Sequence, residues 1–100
     1  MQWLWTWGGK CFGYLDGEDL WTYDGKHIGN RKGDEIYGVD GKYIGEVMKK
    51  NRLITNLSKK SKKEYSFSPF RRQASYAKYA DCAGYAMNAG YEDFSPPESF

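Results

Sequence analysis

The chain has 100 residues and a formal net charge of +2, and its four Trp, nine Tyr and five Phe make it 18% aromatic. That length fits one small domain, the charge alone implies no polyanion partner, and no segment reaches the ~18 apolar residues of a membrane-spanning helix. Two cysteines, Cys11 and Cys82, are too few for a disulfide scaffold and match no metal-ligand spacing, so they read as reduced thiols of a cytoplasmic protein.

From the start, Met1 to Gly9 is aromatic but has no basic n-region and no long apolar run, so it does not read as a secretion signal. From Gly9 the chain falls into blocks of sixteen: GKCFGYLDGEDLWTYD (9–24), GKHIGNRKGDEIYGVD (25–40) and GKYIGEVMKKNRLITN (41–56). The third block slips by one residue at Lys49-Lys50-Asn51, and WLWTWGGK (3–10) matches DLWTYDGK (19–26) at the same offset.

Turn pairs recur every eight residues: Gly8-Gly9, Asp16-Gly17, Asp24-Gly25, Lys32-Gly33 and Asp40-Gly41. Gly9, Gly17, Gly25, Gly33 and Gly41 are therefore structural turn residues, since glycine accepts the positive φ of tight hairpin loops. The six residues between turns have strand length and strand composition. If every loop has two residues, cross-strand pairs follow. One row runs Trp5, Phe12, Trp21, Ile28, Tyr37, Ile44, and the other runs Leu4, Gly13, Leu20, Gly29, Ile36, Gly45. The first face, with Trp3, Trp7, Tyr14, Tyr23 and Val39, is the obvious core. The second sets a large aliphatic residue against glycine, as a curled sheet or small closed barrel requires, so the pattern leaves open which face is interior.

A fourth hairpin would pair Leu53–Asn56 with Tyr65–Ser68 across a lysine-rich loop, residues 57–64. The succession LWTYDGKHIG, GDEIYGVDGKYIGEV, NRLITN and AGYEDF resembles the bacterial 4-fold β-flower family, whose function is not established. The resemblance implies four β-hairpin petals and brings no activity, substrate or catalytic residue with it.

Residues 59–72 interleave Lys59, Lys60, Lys62, Lys63, Arg71 and Arg72 with Tyr65, Phe67 and Phe70, a composition that suits single-stranded nucleic acid or another anion. The bland alternative is a solvated loop flanked by sheet aromatics. Pro69 interrupts any regular element there. AKYADC (77–82), AGYAMN (83–88) and AGYEDF (89–94) then repeat with period six, which fits extended chain. The alanines between Arg71 and Ala83 favour a short helix near 72–82.

His27 is the only histidine and sits in mid-strand with no cluster of ligands. Neither cysteine has an activating motif. Asp16, Asp24, Asp34 and Asp40 are explained by turn chemistry. No catalytic, metal or cofactor residue is assigned.

The sequence thus predicts a mostly β fold: an antiparallel meander of about eight short strands, four β-hairpins, flower- or barrel-like, with an irregular or partly helical C-terminal tail. Residues 1–70 form the four-hairpin domain, and the Ala/Gly/Tyr-rich tail 71–100 packs on it or on a neighbouring subunit. The function read from this is a non-enzymatic assembly or interaction module of unknown ligand, with self-association expected and another protein partner possible. The alternative is nucleic-acid binding by residues 59–72. An enzyme and a membrane partner are not favoured.

Overall fold

The computed structural model describes residues 1–100. The strands are β1 (Gln2–Thr6), β2 (Cys11–Asp16), β3 (Asp19–Thr22), β4 (His27–Lys32), β5 (Glu35–Gly38), β6 (Tyr43–Met48), β7 (Arg52–Asn56) and β8 (Tyr91–Asp93). They form one sheet in sequence order, and β1 also pairs with β7. The seven strands β1–β7 thus close a barrel, which removes the free edges that invite aggregation. An antiparallel meander of odd strand number brings its first and last strands together in the same direction. The closing pair is accordingly parallel, Trp5 against Arg52 and Thr6 against Leu53. No helix is long and apolar enough to cross a membrane.

The five turn glycines all have positive φ, between +60° and +97°. Their loops differ from the two-residue form expected. At Gly9, Gly25 and Gly41 the glycine N–H donates to the residue three back, Thr6, Thr22 or Gly38, and the strands close with Thr6–Lys10, Thr22–Lys26 and Gly38–Lys42 bonds. These are three-residue loops ending in a left-handed glycine. The extra residue throws the register off by one, and a bulge in the following strand restores it. Trp5 therefore faces Cys11, Trp21 faces His27 and Tyr37 faces Tyr43, while Leu4–Gly13, Leu20–Gly29 and Ile36–Gly45 pair as expected. At the other end the two-residue loops are Gly17-Glu18 and Gly33-Asp34, one residue later than read from the sequence. Trp21 then faces Tyr14 and Leu20 faces Leu15. Both rows of cross-strand pairs are thereby corrected: Trp21 pairs with neither Phe12 nor Ile28, and in the second row Gly13 faces Thr22 rather than Leu20 and Gly29 faces Gly38 rather than Ile36. The repeat slip becomes the loop Lys49-Lys50-Asn51, with both lysines at positive φ.

The interior is the aliphatic row, not the aromatic one. Leu4, Leu20, Ile36 and Leu53 come one from each odd-numbered strand. Phe12, Ile28 and Ile44, at the bulges, join them together with Phe94, just past β8. The glycine row makes room for these side chains. A Cβ on Gly29 would lie 3.0 Å from Ile36 Cγ2, and one on Gly45 would run into the Phe94 ring. The aromatic face points outward, yet Trp7, Tyr14 and Trp21 are at most 2% exposed.

They are covered by the C-terminal third, where two expectations are corrected. Residues 65–68 form no strand, so the fourth hairpin is not built there; β7 pairs instead with β8, Ile54–Asp93 through Asn56–Tyr91. Residues 72–82 form no helix, because several of their amides donate to the barrel rather than along their own chain. Residues 64–90 are an extended strap around the outside of the barrel. The fourth petal is therefore β7 and β8, with the whole strap as its loop.

Candidate functional site

The strap is held by a repeated backbone contact. The N–H groups of Glu64, Gln73 and Cys82 each donate at 2.8 Å to the carbonyls of Gly41, Gly25 and Gly9. Three residues further on, the N–H groups of Phe67, Tyr76 and Tyr85 donate to Val39, Tyr23 and Trp7 at 3.1, 2.8 and 3.1 Å. Donors advance by nine residues while acceptors step back by sixteen. The strap thus has a period of nine, not the six read from its tyrosines, and each unit sits on one petal. The carbonyls of Cys82, Gln73 and Glu64 lie where a Cβ on Gly9, Gly25 or Gly41 would be, whereas Gly17 and Gly33 face open space. The first three glycines are thus required twice, by φ and by the strap.

Side chains fill in around this ladder. The indole N–H groups of Trp5 and Trp7 donate to Ala80 and Ala86, each at 2.9 Å. Trp3 packs edge-on against Tyr79 at 4.9 Å and Tyr14 against Tyr76 at 5.4 Å, while Trp7 meets Tyr85 at 5.0 Å with the rings tilted by 42°. Where β1 and β8 meet end to end along β7, the Asp93 carboxylate accepts the N–H groups of Trp7 and Gly8 at 2.9 and 3.0 Å. Aromatic and apolar side chains of the strap remain exposed: Tyr65 is 96% exposed and Phe70 61%, and Tyr76, Tyr79, Tyr85 and Met87 keep part of their surface open as well.

His27 is buried and fully engaged. Its Nδ1 accepts the Phe70 N–H at 3.0 Å, and its Nε2 lies 3.1 Å from both Asp19 Oδ1 and the Gly29 carbonyl. Its ring lies against both Trp21 at 4.9 Å and Phe70 at 5.0 Å, which also stack on each other at 6.3 Å. Cys11, one repeat earlier, is buried, and burial chiefly pushes its thiol pKa up; Cys82 is exposed and accepts from Arg52 Nη2 at 3.1 Å, and neither forms a disulfide. No group of three or more His, Cys, Asp and Glu side chains converges as a metal ion would need.

The basic stretch is largely neutralised within the chain. Lys59 bridges Glu35 and Glu46 at 3.0 and 3.1 Å, and Lys62 meets Glu35 at 2.9 Å. Lys60 pairs with Glu92 and Arg72 with Asp24. Lys63 and Arg71 make no ion pair, and they alone of the six retain an uncompensated charge. Hydrogen bonds from Lys62, Tyr37 and Lys59 hold the Glu35 carboxyl down at about 2, and Glu35 and Glu46 hold Lys59 above its usual range. Burial chiefly, reinforced by Glu46, pushes the Tyr43 hydroxyl up, while it accepts the Asn56 N–H at 3.0 Å. This cluster ties β5, β6 and the segment after β7 together, and both carboxylates are occupied by lysine.

Sequence reasoning marked the six basic residues and the turn glycines but missed Asp19, Glu35, Glu46 and Asp93. Asp19 and Glu35 stand at the same place in successive 16-residue blocks, which was their one visible signal; the strap's period of nine was hidden because only its backbone donors repeat.

The family model described as 4-fold beta flower protein matches residues 1–87. No curated protein and no solved structure matches the chain.

Proposed function

The chain belongs to the 4-fold beta flower family, and we propose that it works as a non-enzymatic interaction module whose contact surface is the outward side of the strap, with a second copy of the chain as its first partner. The observation that carries this is the aromatic surface left on the strap: backbone groups hold it to the barrel, Tyr65 is almost wholly exposed, and Phe70, Tyr79 and Met87 stay exposed even though Phe70 and Tyr79 also pack one side on the barrel. A belt of exposed aromatic side chains on a small domain favours protein contact. Against a catalytic reading, both ring nitrogens of His27 are engaged, and Glu35 and Glu46 are ion-paired. The nucleic-acid reading keeps Lys63, Arg71, Tyr65 and Phe70 as contacts but has four of its six cations already paired.

The test is sedimentation velocity on the full chain over a concentration series, beside Tyr65→Ser/Met87→Ser. The wild type should associate and the double variant should not. A wild type that stays monomeric throughout removes self-association. Steeply salt-dependent binding to a single-stranded oligonucleotide would put the alternative in its place.

A further inference from the structure

The bond between His27 and the strap depends on one lone pair. Nδ1 accepts the Phe70 N–H at 3.0 Å, so that nitrogen carries no proton. The ring proton then sits on Nε2, which faces Asp19 Oδ1 and the Gly29 carbonyl, each at 3.1 Å. The ring is 3% exposed and is enclosed by Trp21, Phe67 and Phe70, with ring centroids 4.9, 4.9 and 5.0 Å away. A second ring proton has only Nδ1 to occupy, and there it points at the Phe70 N–H. Two donors then face each other and the Phe70 amide loses its acceptor.

We infer that His27 is a pH-operated latch: protonation of its ring releases the strap at Phe70 while the barrel and the later strap units stay in place. The surrounding charges direct the cost to the strap. Asp19, on β3, keeps its bond to Nε2–H in either ring state. Asn30, on β4, can place its amide nitrogen 2.8 Å from the same Asp19 oxygen and hold it there. Lys26 and Asp40 border the cavity of about 490 Å³ beside the ring, between the second and third petals. From the strap side the charged neighbours of Phe70 are Arg71 and Arg72, and Arg72 is paired with Asp24.

The other petals supply the comparison. Cys11 holds the place of His27 in the first petal, with the Tyr79 backbone beside it, and burial chiefly raises its thiol, so it stays neutral. Tyr43 holds that place in the third petal and donates to Glu46. Only the middle petal carries an imidazole at this position, the one side chain of the three that can hold a second ring proton. The release is therefore confined to one unit of three. It needs no partner on the outer side of the strap and stands apart from the assembly reading.

The experiment is amide hydrogen exchange by NMR on the full chain at about pH 7.5 and about pH 5, with the His27 ring nitrogen shifts reporting protonation. The protection factor of the Phe70 amide should fall about tenfold on acidification, the scale of one lost hydrogen bond, while that of Tyr79 holds. His27→Asn offers an oxygen acceptor near the Nδ1 position that does not take a proton, and it should keep Phe70 protected at both pH values. Should that variant fail to fold, Asp19→Asn should move the release to lower pH. Phe70 protection that survives ring protonation overturns the latch. So does a ring that stays singly protonated through pH 5, or loss of Tyr79 protection in step with Phe70. Acid sensitivity persisting in His27→Asn, or an unshifted release in Asp19→Asn, does the same.

Discussion

The backbone N–H of Gln73 donates to the carbonyl of Gly25 at 2.8 Å, and the Gln73 carbonyl occupies the space where a Cβ on Gly25 would stand. The turn and the strap are thus fitted to each other at a position that admits no side chain.

Gly25→Ala should therefore cost more than Gly17→Ala. Both have positive φ, +89° and +60°, which a non-glycine residue pays for with about 1–2 kcal/mol. Only Gly25 also presses on strap backbone, so its variant should lose clearly more, with the extra loss accompanied by protease sensitivity in residues 64–90. Thermal melts and limited trypsin digestion measure both. Equal losses would mean that the strap yields freely.

Gly29→Val tests the glycine row. The new Cβ would sit 3.0 Å from Ile36 Cγ2 and 3.1 Å from the Tyr37 carbonyl. Overpacking of this kind costs about 1–3 kcal/mol. Chemical denaturation should show a lower midpoint. An unchanged or raised midpoint would show that the barrel interior has slack there.

Acid stability should depend on Glu35. Its folded carboxyl is held at about 2 against the usual 4.5. The folded chain thus binds fewer protons than the unfolded one between those values. This stabilisation is complete above about pH 4.5 and is lost as the pH falls toward 2. Glu35→Gln should be less stable than wild type at neutral pH and should lose less on acidification through that window. Urea midpoints at three pH values give the comparison, and parallel pH profiles for the two proteins would exclude the ion-pair cluster as a source of acid sensitivity.

Deleting residues 74–100 should uncover the outer indoles. Trp5 and Trp7 would lose Ala80 and Ala86 as hydrogen-bond acceptors, β7 would lose β8, and the core would lose Phe94. Light scattering should report aggregation of the truncated chain. A truncation that stays dispersed, with native tryptophan fluorescence, would show the barrel to be self-sufficient.

Turn chemistry along the chain was enough to place the first three hairpins but not the fourth, whose second strand is β8. Gly9, Gly25 and Gly41 mark their turns whatever surrounds them, because a left-handed residue is a local requirement. The Leu4–Gly13, Leu20–Gly29 and Ile36–Gly45 pairs were legible for the same reason: the bulge cancels the extra loop residue, so a wrong loop length still gave the right partner. The strap sites were not legible, because their donors are backbone amides, which every residue carries, and so Glu64, Gln73 and Cys82 share no side-chain type. Closure of the barrel settled what the pattern left open. Small aliphatic side chains opposed by glycine fit the tight interior, and the larger indoles and phenols were left on the wider outer wall. There a distant segment, joined to them only through the fold, gives them cover.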